Sequence, residues 1–324
     1  MSRLVAITGA TGFLGRYIVR EFATRGWRVR ILARRPVDHP QLEGLQLDIV
    51  SGDLSNKQAL RTLVDGADAI VHAAGLIKAA NAAAFEAVNT HGTANLARAI
   101  EEREVAARVL LVSTLAAREP RLSSYARTKR AGEDLLMGAL SPRCELTIVR
   151  PCAIYGPWDR ETLLIFRAID YHIFLQPRIS HGRVAIIHAA DAAVAIATLC
   201  EDGPAGSVFE LTDERTQGYS WDEIVGTAKT AMDSKALVIR LPEPAVRAAA
   251  AVSLAAARVL RRTPMFTPEK AREILHADWG SRAERQPPRS LWRPSIGLAE
   301  GFRDTVCWYR ERRWLAGHRL VRGH

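Results

Sequence analysis

The sequence predicts a doubly wound α/β fold, a parallel sheet followed by a smaller mixed α/β C-terminal lobe, and three observations carry that expectation. Short apolar runs alternate with amphipathic segments of three- and four-residue spacing through the first 150 residues. A glycine-rich stretch, Thr8-Gly9-Ala10-Thr11-Gly12-Phe13-Leu14-Gly15, joins the first apolar run to the first amphipathic segment. Beyond Arg150-Pro151 the alternation weakens into proline, glycine and mixed segments. Strands separated by helices of this length must cross over the sheet, so they pair in parallel and helices cover both faces.

Leu4, Val5, Ala6 and Ile7 form a buried-strand run, and Phe13, Leu14, Ile18, Val19 and Phe22 line one face of the helix that follows. Gly26 stops that helix. Further strands are expected over residues 27–33, 45–50, 69–72, 109–112 and 146–149, and helices over 13–25, 56–64, 81–102 and 123–140. Residues 1–150 thus form a Rossmann dinucleotide-binding domain, and 151–324 a substrate-binding lobe from which later segments can return to the sheet. Within that lobe strands are expected over 184–187 and 208–211, and helices over 189–200, 220–231, 244–261 and 268–276. Residues 282–294, with Pro287-Pro288 and Pro294, are expected to be extended.

Nearly half of the 324 residues, 48%, are apolar, enough for a large core. No signal-peptide pattern opens the chain and no uninterrupted apolar run reaches a membrane-spanning length, so no stable membrane insertion is expected. Arg247 and Arg258 interrupt the nearest candidate, residues 245–260, which reads as a helix packed on the domain in preference to one lying on a membrane. The four cysteines are far apart without a C-x-x-C pair and read as reduced core residues. No histidine spacing suggests a metal, and a cytoplasmic location fits both facts. The net charge of +10 has its arginines spread among helices, which points to an anionic ligand or a basic surface and away from nucleic acid.

The glycine stretch reads as a phosphate cradle. Gly9 allows a sharp turn, Gly12 lets backbone amides approach a pyrophosphate, and Gly15 permits close packing of helix on strand. With Thr11, Phe13 and Leu14 these residues place a helix N-terminus, its unpaired amides and its positive dipole end against the anion. After the second strand stands Ala33-Arg34-Arg35, where an acid would accept from the ribose hydroxyl of NAD. Two guanidinium groups suit a 2′-phosphate instead, so NADP(H) is preferred over NAD(H). Asp53, beside Leu54, fits either a contact to the adenine amino group or a helix N-cap.

Tyr125-Ala126-Arg127-Thr128-Lys129 puts a phenol and an ammonium on one helix face. A free tyrosine titrates near ~10, and a neighbouring cation brings its phenolate toward the working range. The strand before this helix ends in Ser113-Thr114.

Together with His72-Ala73-Ala74-Gly75, the run Asn89-Thr90-His91-Gly92-Thr93-Ala94-Asn95-Leu96, and Arg150-Pro151 followed by Tyr155-Gly156-Pro157, these motifs resemble the extended short-chain dehydrogenase/reductase superfamily, also called NAD-dependent epimerase/dehydratase. The stretches Ile187-His188-Ala189-Ala190-Asp191 and His276-Ala277-Asp278-Trp279 carry the resemblance to nearly the whole length. It implies Tyr125 as general acid/base, Lys129 as its partner and ribose ligand, and Thr114 as the hydroxyl on the reacting oxygen, with Ser113 second. It implies Ala73, Ala74, Gly75 and Pro151 against the cofactor, Asn89 near the site, and a homodimer through helices of the Rossmann unit. Asp191 is expected to cap a helix.

Two departures narrow the branch. Leu115-Ala116 stands where the sugar 4,6-dehydratases carry an acidic pair, and Ala153 where sugar-nucleotide members carry Asn. The segment resembles dihydroflavonol-reductase and hydroxysteroid-dehydrogenase types. The expected activity is therefore NADP(H)-dependent carbonyl reduction of a small, rather apolar substrate. The alternatives are a nucleotide-sugar epimerase using transient oxidation and a non-catalytic NADP(H)-binding subunit or sensor. Trp158, Phe166, Tyr171, Phe174 and Trp221 fit a pocket lining and core packing equally well.

Overall fold

The computed structural model describes residues 2–103, 105–260 and 266–315. Its centre is a seven-stranded, wholly parallel sheet of β1 (Leu4–Thr8), β2 (Arg28–Ala33), β3 (Leu47–Ser51), β4 (Ala69–His72), β5 (Ala107–Val112), β6 (Cys144–Pro151) and the late strand Val208–Leu211. In space the order is β3-β2-β1-β4-β5-β6 and then Val208–Leu211. Order therefore reverses between β1 and β4, and the crevice at their carboxyl ends is where such sheets bind ligands.

Helices cover both faces, as the buried strand runs require. On one side α1 (Phe13–Thr24) packs Ile18 and Phe22 against Ala192 and Ile196 of the helix Ala189–Asp202. On the other, α2 (Lys57–Val64) buries Leu60 and Leu63 beside Leu96 and Ile100. The expected helix over 81–102 is a composite of α3 (Ala82–Phe85), a π-turn over Glu86–His91, and α4 (Gly92–Glu101). Next comes α5 (Ser124–Ala139), capped by the Ser123 hydroxyl.

Beyond β6 the chain does not stay in a separate lobe: the segment from 189 to 211 supplies both a sheet strand and a sheet-covering helix. The run over 184–187 divides at Ala185. Arg183–Val184 pairs with Asp278–Trp279, whereas Ile186–His188 pairs with Ala153–Tyr155. The lobe's own core gathers Phe166, Phe174, Ile224 and Met232 around Phe302 and Tyr309 of the helix Leu298–Glu311. Phe166 and Phe174 are thereby core residues, whereas Tyr171 is 80% exposed.

The helix expected over 244–261 spans Glu243–Val259, and Arg261 lies outside the described residues. The stretch over 282–294 contains a 3₁₀ turn, Ala283–Arg285, anchored where Glu210 accepts from the Arg282 amide. Cys144, Cys152 and Cys200 are buried, but Cys307 is exposed. Among the described residues no helix is long and apolar enough to cross a membrane.

Candidate active site

The glycine turn sits at the reversal of strand order. Gly9 has φ +74°, and a Cβ there would lie 2.5 Å from the Ala74 amide nitrogen and 2.6 Å from the Ala73 carbonyl carbon. This close approach of the β1 and β4 ends admits only glycine. A Cβ on Gly15 would fall 1.9 Å from the Gly9 carbonyl oxygen, so α1 is pressed directly onto the turn. Gly12 is the N-cap of α1, no side chain caps that end, and no acid occupies the first turn. The amides of Phe13 and Leu14 therefore start the helix with no intrahelical or side-chain acceptor, an arrangement that fits a pyrophosphate. Arg16 donates to the Thr11 carbonyl at 2.6 Å and to Gln41 at 2.9 Å, which pins the loop.

A buried relay fixes the floor of this crevice. The Ala74 amide donates to Thr8 Oγ1, which lies 2.7 Å from His72 Nδ1; His72 Nε2 lies 2.9 Å from Thr93 Oγ1, and Thr93 donates to the Asn89 carbonyl. One proton arrangement satisfies every member: Thr8 donates to Nδ1, and Nε2–H donates to Thr93. His72 is accordingly neutral, burial holding it at about 3 with the Lys129 charge adding to the fall.

This lowered value has a consequence for stability. A histidine whose folded pKa lies below its unfolded value supports the fold above about pH 6.5, and that support is lost as pH falls toward the folded value. Acidification through this window is expected to remove up to roughly 5 kcal/mol. Urea unfolding of wild type and His72→Asn between about pH 7 and pH 4 checks it. A flatter pH dependence in the variant is expected, and equal slopes would contradict the assignment.

Asn89 sits inside the π-turn, where the extra residue re-aims a side chain. Its amide accepts from the Leu76 amide at 2.8 Å and donates to the Leu76 carbonyl at 3.1 Å, clasping the loop after Gly75. At Gly75 a Cβ would meet Asn89 Oδ1 at 3.2 Å and Lys129 Nζ at 3.6 Å, so this glycine adjoins both residues. Lys129 is buried on α5 and donates to the Val112 carbonyl at 2.8 Å. Burial lowers its ammonium to about 8, and Glu133 opposes the fall.

Tyr125 stands one turn before Lys129 and packs its ring near Phe85, 6.1 Å between centroids. Burial pushes its phenol up to about 12; Thr114 acts against the rise and Glu273 adds to it. Thr114 lies two residues beyond β5 and caps the short 3₁₀ turn Leu115–Arg118 through the Ala116 amide. Thus Thr114 and Tyr125 come together, with Lys129 one helical turn deeper. Ser113 is differently engaged. Its hydroxyl donates to Glu133, a fully buried carboxylate that also takes two bonds from Arg150, at 2.9 and 2.6 Å. The spacing Tyr125, Lys129, Glu133 continues one helix face, and that periodicity was the available signal for this brace.

Another brace comes from far along the chain. Glu273 accepts from the Ser123 hydroxyl, and Glu269 accepts from Ser124 through amide and hydroxyl at 3.1 and 3.0 Å. Both carboxylates meet the positive end of α5 immediately before Tyr125. A cleft of about 400 Å³, lined in part by Ser123, Ser124 and Glu269, opens there without reaching Tyr125.

Just past the carboxyl end of β2, Arg34 and Arg35 are exposed, and Arg34 is close enough to Asp53 to lower its carboxyl, after the larger effect of the Ser55 hydrogen bonds. Asp53 is not the N-cap: Asn56 takes that role from Ala59, and Asp53 accepts from the Ser55 amide at 2.8 Å. Leu54 is buried against Gly92, its carbonyl bound by Asn95. Pro151 is buried beside Leu211. Asp191 is likewise not a cap. His188 caps that helix, while Asp191 holds the Ser295 and Ile296 amides.

A Rossmann sheet whose switch point presents an uncapped helix end, with a tyrosine–lysine pair over the neighbouring strand, defines an NAD(P)-dependent short-chain dehydrogenase/reductase of the extended type. The chain belongs to the NAD-dependent epimerase/dehydratase family, whose model matches residues 5–211. It is 45% identical over 313 residues to a ceramide reductase of Caulobacter vibrioides, spanning 96% of each chain. It is 28% identical to the sterol demethylase protein B of Methylococcus capsulatus, over 94% of this chain and 98% of that one. The crystal structure of gox2253 shares the fold, with a TM-score of 0.77 at 21% identity over 98% of this chain and all of the other.

Proposed function

We propose that the protein reduces a carbonyl on a ceramide-type lipid with NADPH, Tyr125 serving as proton donor, Thr114 orienting the reacting oxygen and Lys129 holding the nicotinamide ribose. The grouping of these three residues carries the reading, in a chain that shares 45% identity with a ceramide reductase across 96% of both lengths. When bound, the nicotinamide supplies the hydride. A phenol held up at about 12 is protonated at neutral pH, which suits donation to an oxygen as it gains charge. The ammonium of Lys129, at about 8, is still mostly charged there and favours the phenolate left behind. Ala153 removes the amide that a sugar diphosphate would engage, which favours a less polar substrate. Net consumption of NADPH, one per lipid ketone reduced, tests the reading against an epimerase, whose cofactor is regenerated in each turnover.

Phosphate recognition is assigned to Arg34 and Arg35 on the same reading. Replacing both with alanine is expected to raise the KM for NADPH by about two orders of magnitude and to leave NADH nearly unaffected. Steady-state kinetics with both cofactors measure this, and equal losses would remove the pair from 2′-phosphate binding.

A further inference from the structure

The helix Glu243–Val259 is buried along one stripe, where Val246 and Ala250 pack on Ala271 and Ala257 lies further along. Its outer side is unusual. Every exposed described residue from 248 to 260 is apolar, with Val252 68% and Val259 82% exposed. A helix facing only water carries polar and charged groups there. The strand Leu237–Leu241, separated from this helix by Pro242 alone, adds a second bare surface. Paired in parallel with Ile173–Pro177, it leaves Leu237, Ile239, Ile173 and Leu175 exposed on one face. Exposed apolar faces of this kind mark an interaction site.

Charge selects the occupant. Between Glu243 and Glu269 the sequence carries four arginines, Arg247, Arg258, Arg261 and Arg262, and no carboxylate. Arg247 pairs with Glu243, so the uncompensated positive charge falls later in the sequence, at positions 258 to 262. A second copy of the chain would bring that same positive excess against itself, whereas an anionic surface complements it.

We propose that this helix docks the protein on the surface of an anionic lipid bilayer, lying along the interface with its apolar face inward. The docking holds whichever carbonyl is reduced. It also stands next to the site: the helix rests on Pro268–Leu275, whose Glu269 and Glu273 brace the start of α5 just before Tyr125. No spanning segment is involved among the described residues.

Flotation of the full chain with vesicles of phosphatidylcholine alone, and with equal parts of phosphatidylglycerol, tests the docking. The wild type is expected to float with the anionic vesicles and to be released as salt rises. Val252→Glu and Val259→Glu alter exposed positions and are each expected to lower vesicle partition by roughly tenfold or more, with unchanged thermal melting and NADPH binding. If one variant unfolds, the other decides. Absence of flotation by the wild type, or undiminished flotation by a folded glutamate variant, would overturn the proposal. So would a wild-type dimer in sedimentation that the same substitutions dissociate, which would give the face to a second copy.

Discussion

Tyr125→Phe is expected to lower kcat by about two to four orders of magnitude while NADPH binds as before. The substitution removes one oxygen and keeps the ring that packs near Phe85, so the helix and its neighbours stay in place. What is lost, on the proposed reading, is the phenol hydroxyl beside Thr114 and one turn from Lys129. Water is a poor substitute, because burial around the phenol is what raises its pKa and disfavours a charged oxygen nearby. Fluorescence titration reports NADPH binding, and single-turnover oxidation of NADPH reports the chemical step. Turnover at the wild-type rate would remove the phenol from the mechanism and leave a dinucleotide-binding role for the fold.

Gly15→Ala should be the most damaging single-methyl change in the cofactor domain. Its Cβ would sit 1.9 Å from the Gly9 carbonyl oxygen, a backbone atom that cannot swing aside as a side chain can. Either α1 lifts from the turn or the turn moves away from β4, where Gly9 already touches the Ala73 and Ala74 backbone. We expect a loss of about 3 kcal/mol in stability, at the upper end for overpacking, together with loss of NADPH binding even in the folded fraction. Gly26→Ala is the contrast: nothing lies within 4 Å of its Cβ, so its effect is confined to strain at φ +78° and leaves NADPH binding intact. Urea unfolding and cofactor titration of the two variants measure the difference. Retained binding by Gly15→Ala would contradict the close-packed cradle.

The alternating apolar runs made β1, β2, β4, β5 and the glycine cradle legible, because their signals are local: a strand, a turn with fixed glycine offsets, and a helix face. Tyr125 and Lys129 were legible for the same reason, a four-residue spacing on one helix. What local pattern could not reveal was choice among distant partners. Val208–Leu211 reads as a strand, but nothing in its four residues says that it pairs with β6. The run around Ala185 looks like one strand and serves two ribbons, since adjacent residues find different neighbours. Ser113 and Thr114 are equivalent hydroxyls in sequence; only the fold gives Ser113 to Glu133 and leaves Thr114 beside the phenol. Asp53 and Asp191 each lost the cap to a neighbour, Asn56 and His188, for the same reason. The helix Leu298–Glu311 is a different case: Leu298, Phe302, Val306 and Tyr309 carry a helical period that is itself a local signal.

Isotope transfer tests the central claim most directly. NADPH deuterated at the transferable position, incubated with the protein and a ketone of the ceramide class, should yield an alcohol carrying one deuterium on the former carbonyl carbon, with one NADP formed per product. The same incubation with Tyr125→Phe should yield almost none. Product without deuterium, or a substrate altered in configuration with no net NADPH consumed, would contradict a carbonyl reductase built on Tyr125.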